Sequence, residues 1–359
     1  MAFPSSSLVK LCHCLQSKAP PSDSDWMAVL ELANNTLTTP FLIDLVERPG
    51  QSVPEDVKAF VRDIYRRNAL RNDRLKAQLE EAVAALNARD VIPVLLKGSA
   101  ILATAASERR ATRIMADLDL LVDPEQAETA LQVLADLDYQ SHFRAPPGSQ
   151  KQYSDLKRAR DVGMIDLHQE APGPGYFYRP SGKLLAHCMP ISVGSGTAYL
   201  PTTTFQAFML IIHDQFQDDD YWVGEVDVRH LMELRDLANS AEGIDWSSLM
   251  SFAPSCLARN AIAKQLLALS ELLGVDVPAE LRKGFVPWLQ FRRLLLQSRF
   301  PIARWPLLSV ALVDYRNYRR ELGADYQTDA RRNATLTLPR ADTLRHLFGL
   351  VGSHRIGKV

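Results

Sequence analysis

The stretch that decides the fold reads Val-Leu-Leu-Lys-Gly-Ser-Ala at residues 94–100 and Arg-Ile-Met-Ala-Asp-Leu-Asp-Leu-Leu-Val at residues 113–122. Its first part is an apolar run that ends in a Gly-Ser turn. This predicts a buried strand over residues 91–96 and a helix that begins near residue 100. Its second part predicts another strand, over residues 117–122, in which carboxylates alternate with aliphatic side chains.

The two carboxylates of the second strand predict a metal site. Successive strand residues point to opposite faces, so Asp117 and Asp119 share one face while the leucines between and after them share the other. Neighbouring carboxylates repel each other unless a cation lies between them. Because Mg²⁺ is usually bound by one or two carboxylates together with substrate phosphates, we expect Asp117 and Asp119 to be its ligands.

The Gly-Ser turn is predicted to hold phosphate groups. Backbone N–H groups at the start of a helix favour an anion, which makes Gly98 and Ser99 candidate contacts of a triphosphate that also reaches the metal. Lys97 and Arg113 are candidate phosphate contacts as well, because cationic side chains pair with phosphate oxygens. For each of these two residues, a surface charge or a local ion pair is the alternative interpretation.

A third carboxylate follows in Met-Ile-Asp-Leu-His at residues 164–168. In-line attack on a phosphate under two metal ions needs a further acid near the attacking group, and Asp166 is the candidate. It would bind the second metal ion or act as the base for an incoming hydroxyl. His168, on the same strand face, and His213, in an apolar helical segment, are predicted to be structural histidines.

These motifs, in this order, resemble the DNA polymerase β-like nucleotidyltransferase superfamily. More narrowly, they resemble a bacterial family of uncharacterised nucleotidyltransferases, over residues 55–275 and with further matches at His213 and Asp227. The chain differs from many superfamily members in its spacer, since residues 99–116 separate the glycine from the first acid. The resemblance implies that the acids are metal ligands and catalytic residues and that the turn contacts the triphosphate: Asp117, Asp119, Asp166, Gly98 and Ser99.

Composition restricts the class of protein. The chain has 359 residues with 41 Lys and Arg against 42 Asp and Glu, a net charge of -1, so bulk charge does not favour a nucleic-acid or membrane-surface partner. Four cysteines do not make a disulfide framework in a chain of this length, which favours a reducing compartment. With no apolar run of roughly 18 to 20 residues, we expect a cytoplasmic protein without a membrane span.

The pattern of elements predicts an α+β protein with an α/β-like core in three parts. An N-terminal helical region covers residues 1–90, a nucleotidyltransferase sheet domain residues 91–200, and a C-terminal helical domain residues 201–359. Further strands are predicted over 139–144, 153–158 and 162–169, and helices over 55–89, 127–137, 226–239, 246–252, 256–273 and 287–298.

The helix predicted over residues 55–89 begins after Pro54 with acids in its first turn. Apolar residues at helical spacing predict one buried stripe: Val57, Phe60, Ile64, Leu75, Leu79, Val83 and Leu86. We expect the charged residues between them to face solvent.

Three other motifs predict structure rather than a ligand site. Cys12-His13-Cys14 is too compact for zinc and has no second ligand pair. The acids at residues 218–220 indicate a solvated loop, because the surrounding segment lacks the turn glycine of a calcium loop. Gly-Ser-Gly at residues 194–196 is not followed by lysine and predicts a hairpin.

The sequence therefore predicts Mg²⁺-dependent transfer of a nucleoside monophosphate from a nucleoside triphosphate to a hydroxyl or phosphate. Pyrophosphate is the other product. The acceptor is a small molecule, a protein or a peptide, since nothing in the charge pattern favours extension of a polynucleotide. The alternative is a non-catalytic module that binds a nucleotide or a partner, because a fold alone does not imply its activity.

Overall fold

The computed structural model describes residues 6–16, 20–22, 25–144, 152–169, 184–253, 255–315 and 317–318. The chain begins with three short helices, α1 (Ser7–Leu15), α2 (Trp26–Asn35) and α3 (Ile43–Val46), and the long helix α4 (Glu55–Asn87). The cysteines of the Cys12-His13-Cys14 motif are both buried in α1, where they pack in the hydrophobic core. Burial raises the pKa of the Cys14 thiol to about 11.

Helix α4 has its predicted start, and most of its predicted buried stripe is confirmed: Val57, Leu75, Leu79, Val83 and Leu86 are buried. Phe60 is exposed, while Val57 and Val61 are buried, and the stripe continues through two asparagines, Asn68 and Asn72. Their side-chain amides donate to backbone carbonyls of the spacer, at 2.7–3.0 Å, and both reach the carbonyl of Arg113. Because these polar groups find partners, they can be buried, and they fix the path of the long spacer.

The next elements form a seven-stranded mixed sheet with helices between its strands. Strand β1 (Val94–Leu95) leads into helices α5 (Lys97–Thr104) and α6 (Ser107–Arg110), and β2 (Asp117–Leu121) leads into helix α7 (Ala127–Asp136). The remaining strands are β3 (Gln140–Arg144), β4 (Gln152–Lys157), β5 (Met164–His168), β6 (Cys188–Val193) and β7 (Gly196–Pro201). Their order is β3-β4-β5-β2-β1-β7-β6, with β2 parallel to β5 and β1 parallel to β7.

Strand β1 is shorter than the predicted strand over residues 91–96. Pro93 has no N–H to donate to a ladder, and Lys97 has a φ of +46°, which ends the extended backbone. Helix α5 therefore begins at Lys97 and not near residue 100. The predicted hairpin is confirmed, since β6 and β7 pair around Gly194 and Gly196.

The C-terminal half of the described chain is helical. It contains α8 (Thr203–Ile212), a π-helical turn (His213–Gln217), α9 (Asp220–Val223) and α10 (Val228–Ala238). After these come α11 (Trp246–Ser251), α12 (Cys256–Leu273), α13 (Phe285–Arg299) and α14 (Arg304–Leu307). Among the helices of the described ranges, none is both long and apolar enough to cross a membrane.

Two hydrophobic cores organise these elements. One lies between the sheet, the second half of α4 and helix α7. The other joins helices α1 to α3 to the C-terminal helices and reaches the sheet at Val94, Leu96 and Leu121. The predicted α+β fold is confirmed, and among the described residues helices α1 to α3 pack with the C-terminal helices beside the sheet.

Candidate active site

The three predicted carboxylates lie on two neighbouring strands. In the parallel pair of β2 and β5, Asp119 is opposite Asp166, and Asp117 is two residues earlier on β2. Leu118 and Leu120 are fully buried in the core on the opposite face of the sheet. The alternation of acid and leucine thus aims the carboxylates of β2 away from this core.

Asp119 is buried and accepts two bonds from side chains of the site. Its Oδ1 lies 2.9 Å from Lys97 Nζ and 3.0 Å from His168 Nε2. Burial alone would raise the pKa of this carboxyl, but the charge of Lys97 and the bond from His168 bring the pKa below its ordinary value. Asp119 is therefore an anion in this site over the physiological pH range.

The other two carboxyls have the opposite shift. Burial, followed by the charge of Asp119, raises the pKa of Asp117. Burial and the charges of Asp117, Asp119 and Asp155 raise the pKa of Asp166 to about 8. The protein thus keeps three acids close together, and the pKa of two of them is raised by burial and by their mutual repulsion.

This group of side chains fits a divalent cation. One ligand atom from each of Asp119, Asp166 and His168 lies within 4.8 Å of the others. Asp166 Oδ1 is buried without a hydrogen-bond partner among the described residues. A buried carboxylate oxygen with no donor is the kind of ligand that Mg²⁺ takes, and the repulsion among the acids would fall with a cation present.

Of the two residues of the Gly-Ser turn, Gly98 lines the cavity in front of the carboxylates and Ser99 does not. Gly98 lies in the first turn of α5. An added Cβ there would lie 2.5 Å from Met115 Sδ, so the backbone approaches its neighbour closely. Ser99 is fully buried, its N–H donates to the Leu96 carbonyl at 3.0 Å, and it is not among the described residues that line this cavity.

Asp117 and Asp119 line a cavity of about 230 Å³ between the sheet and the C-terminal helices, which we call the carboxylate cavity, and Asp166 is not among the described residues that line it. One wall comes from the sheet and α5, with Asp117 and Asp119. The other wall carries positive and titratable groups from the end of the spacer and from residues on and before α10: Arg113, His213, Asp218, Arg229 and His230. Anionic acids on one wall and cationic groups on the other suit a phosphate chain with a metal ion.

Arg113 lies in this wall but already has partners. Its Nε is 2.6 Å from Glu233 Oε1, and its Nη1 donates to the Ile114 carbonyl at 2.6 Å. Burial and the nearby charge of Arg229 lower its pKa. The local ion pair, which was the alternative interpretation of this residue, is present, and a phosphate would have to share the guanidinium with Glu233.

The prediction of a solvated acidic loop at residues 218–220 is wrong. Asp220 is buried, and Asp218 lines the carboxylate cavity with its Oδ2 3.5 Å from His213 Nδ1. The reason is the π-helical turn before it, which folds the segment back onto the helical core. Distant packing of this kind leaves no local pattern in the sequence.

Sequence reasoning missed Arg229 and the buried pair of His230 and Asp214. His230 Nδ1 lies 2.7 Å from Asp214 Oδ1, and Gln265 donates to the other carboxylate oxygen at 2.9 Å. Asp227 caps α10 by accepting from the backbone N–H groups of Arg229 and His230. The resemblance at Asp227 was a signal for this region. Asp227 caps the helix whose first turn carries Arg229 and His230, and both of these residues line the cavity.

One comparison with known proteins gives a match. A family model described as an uncharacterised nucleotidyltransferase matches residues 22–274, which include the carboxylates, Gly98 and both walls of the carboxylate cavity. A search of curated proteins gave no match.

Proposed function

The chain belongs to the family of uncharacterised nucleotidyltransferases, and on this premise we propose that it transfers a nucleoside monophosphate from a nucleoside triphosphate to an acceptor. The reaction would depend on Mg²⁺ and release pyrophosphate. Residues 91–200 would form the catalytic domain, and residues 1–90 and 201–359 the flanking helical regions. The balanced charge and the free cysteines support a cytoplasmic location and an acceptor that is a small molecule, a protein or a peptide.

One observation carries the proposal. Asp117, Asp119 and Asp166 lie on the parallel strands β2 and β5, and the first two line a cavity whose opposite wall is cationic. Isolated structural acids would be expected to pair locally with one arginine or lysine. Here three acids share one site, so the arrangement favours a role that needs several negative charges together.

Asp117, Asp119 and Asp166 would hold Mg²⁺. When bound, the metal would neutralise charge on the transferred phosphoryl group and on the leaving pyrophosphate. Gly98 lines the carboxylate cavity in the first turn of α5, which supports a phosphate contact through the backbone of this turn. Lys97 and Arg229 would contribute positive charge beside the phosphates, as Arg113 would if it shares its guanidinium between Glu233 and the phosphate.

Asp166 would receive the proton of the acceptor. In the proposed step the acceptor oxygen forms a bond to the α-phosphorus, and the bond from this phosphorus to the bridging oxygen of the β-phosphate breaks. The electron pair leaves with pyrophosphate, and the acceptor proton passes to an Asp166 carboxylate oxygen. In the metal-free site the pKa of Asp166 is raised to about 8, and a bound Mg²⁺ would lower it, so that Asp166 would be the anion that a general base must be.

One observation favours the non-catalytic alternative. The Lys97 ammonium is bonded to Asp119 Oδ1, a position from which it can replace a metal ion as the counter-charge. A module of this type would bind the nucleotide without transferring it. Binding of a nucleoside triphosphate together with no labelled acceptor in any cell fraction would support this alternative.

Pyrophosphate release from the four common nucleoside triphosphates, with Mg²⁺ and a cell extract as acceptor source, tests the proposal. We expect Asp117→Asn and Asp119→Asn each to lower the rate by at least about 100-fold, because each removes a charge needed in the transition state. Asp90→Asn is the matched control, since Asp90 is exposed and its positive φ suits asparagine. Equal rates in the wild type and both site variants would refute the proposal.

A further inference from the structure

A second, larger cavity lies beside the carboxylate cavity, and we call it the apolar cavity. Its volume is about 590 Å³, which is within the range of small-molecule sites. Much of its lining is aliphatic or aromatic and comes from α5, the ends of β1 and β7, and α8: Ile101, Leu96, Leu200, Met209, Leu210 and, from the N-terminal region, Phe41.

The two cavities share part of their walls. Lys97, Arg113 and His213 line both of them. A single ligand could therefore extend from one cavity into the other past these three side chains. Such a ligand would have a charged part in the smaller cavity and a larger uncharged part in the other.

Most charged groups of the apolar cavity have partners within its lining, while Lys97 pairs with Asp119 of the carboxylate cavity. Arg109 makes a two-point contact with Asp236, including Nε to Oδ2 at 2.9 Å, and Arg113 pairs with Glu233 at 2.6 Å. Thr203 donates its hydroxyl to Glu242 at 2.7 Å. Because cation and anion balance along this lining, it offers little to a phosphate group and suits a neutral group with a few polar atoms.

The position of the apolar cavity in the sheet separates it from Asp166. The strand order β5-β2-β1-β7 places Asp166 on one side of the carboxylates of β2, while Leu96 and Leu200 lie at the ends of strands on the other side. An acceptor must meet the proposed base at Asp166. The apolar cavity lies on the side of β2 away from Asp166, so it is not expected to bind the acceptor. It can instead bind a group that is attached to the triphosphate.

From these observations we infer that the apolar cavity binds the nucleoside, the base and sugar, of the nucleoside triphosphate. The triphosphate then extends past Lys97, Arg113 and His213 into the carboxylate cavity. This inference rests on the proposed function and adds to it the place of the nucleoside and the side from which the acceptor enters.

Binding measurements with substituted cavities test the inference. Ile101→Trp adds bulk to the lining from α5, where Ile101 is only partly buried, and Thr104→Trp does so from an exposed position on the same helix. Thr104→Trp is the second variant in case the first does not fold. Ala106→Trp is the matched control, because Ala106 is exposed, two residues from Thr104, and not among the described residues that line either cavity.

Calorimetric titrations would use the Mg²⁺ complexes of ATP, GTP, CTP and UTP, and inorganic tripolyphosphate as the ligand without a nucleoside. We expect the folded cavity variants to bind the preferred nucleoside triphosphate at least tenfold more weakly than the wild type, with tripolyphosphate affinity changed by less than twofold. Ala106→Trp should change neither. Unchanged nucleotide affinity in the cavity variants, or an equal loss for both ligands, would overturn the inference.

The outcome can be separated from that of the proposed function, since binding needs no turnover. Nucleotide binding that the cavity variants weaken, without pyrophosphate release, would refute the proposed function and support the inference. Pyrophosphate release that the cavity variants leave unchanged would support the proposed function and refute the inference. A wild type that binds tripolyphosphate as tightly as every nucleotide would overturn the inference directly.

Discussion

Lys97 Nζ lies 2.9 Å from Asp119 Oδ1, the same oxygen that His168 Nε2 contacts at 3.0 Å. Lys97 is thus a cation in direct contact with Asp119, and the charge that it supplies also acts on Asp117 and Asp166. Its positive φ places the side chain at the start of α5, beside the carboxylates. The contact between Lys97 and Asp119 can therefore be tested by replacing the lysine and measuring the free energy of unfolding.

Replacing this lysine should destabilise the protein in a way that Mg²⁺ corrects. Lys97→Met leaves the buried Asp119 without its ammonium partner, and we expect a loss of about 2 kcal/mol in the free energy of unfolding. Added Mg²⁺ should restore more of this loss than it adds to the wild type. Lys76→Met is the control, because the Lys76–Glu80 pair is a surface pair of helix α4 that contributes about 0.5 kcal/mol. Denaturant unfolding with and without Mg²⁺ measures both, and an equal Mg²⁺ effect in all three proteins would contradict the assignment.

Binding of Mg²⁺ should release a proton from Asp166. Its pKa of about 8 means that this carboxyl is mostly protonated at pH 7, and a metal ligand must be deprotonated. Calorimetric titration in buffers of different ionisation enthalpy should show release of about one proton per metal bound at pH 7 and much less at pH 9. Asp166→Asn should bind the metal more weakly and release no proton at either pH. Equal proton release by the variant and the wild type would exclude Asp166 as the source.

Gly98→Ala should disturb the turn beside the carboxylates. The new Cβ would lie 2.5 Å from Met115 Sδ, so the methionine must move, and we expect a loss of about 1 kcal/mol in the free energy of unfolding. Tripolyphosphate binding should also weaken, because Gly98 lines the carboxylate cavity. The Gly98→Ala penalty should be smaller in a Met115→Ala background, where the contact is absent. A penalty of the same size in both backgrounds would show that the two residues are not coupled.

The buried pair of His230 and Asp214 should make stability depend on pH. Burial alone would lower the pKa of His230, but the carboxylates of Asp227 and Asp214 raise it above its ordinary value. The folded protein therefore holds this proton more tightly than the unfolded chain does. The stabilisation is fully present below the unfolded pKa of about 6.5 and is lost as the pH rises through the higher folded pKa.

Asp214→Asn should therefore cost about 3 kcal/mol at pH 6 and clearly less at pH 9. Denaturant unfolding over this pH range provides the measurement. Asp236→Asn is the control, because its partner Arg109 stays charged throughout and the loss should not vary with pH. A pH-independent loss in Asp214→Asn would mean that His230 is not protonated in the folded protein.

The sequence was sufficient where function and fold depend on a local period. The alternation at residues 117–122 assigns each acid and each leucine to a face of β2, because a strand repeats every two residues. The hairpin around Gly194 was predicted for a similar reason, since the turn and the flanking strands are adjacent in the chain. The sequence placed Asp166 in a later strand, but the parallel pairing of β2 with β5 and the register that sets Asp119 opposite Asp166 were not predicted.

Features set by distant contacts were not predictable from local patterns. Phe60 has the spacing of a core residue, but the buried face of α4 turns toward Asn68 and Asn72 because the spacer carbonyls satisfy their amides. Lys97 pairs with Asp119, which is 22 residues away in the sequence, and Arg113 pairs with Glu233 on α10. No local period brings Arg229 and His230 in front of the sheet, so the cationic wall appears only when the chain is folded.

Transfer of label from nucleoside triphosphates tests the central claim most directly. With Mg²⁺ and a cell extract, each triphosphate would be supplied labelled at either the α- or the γ-phosphorus. The proposed reaction transfers the α-label to an acceptor and leaves the γ-label in pyrophosphate, and Asp117→Asn and Asp119→Asn should abolish the transfer while Asp90→Asn retains it. Transfer of the γ-label in place of the α-label, or α-label transfer that both site variants retain, would contradict the account.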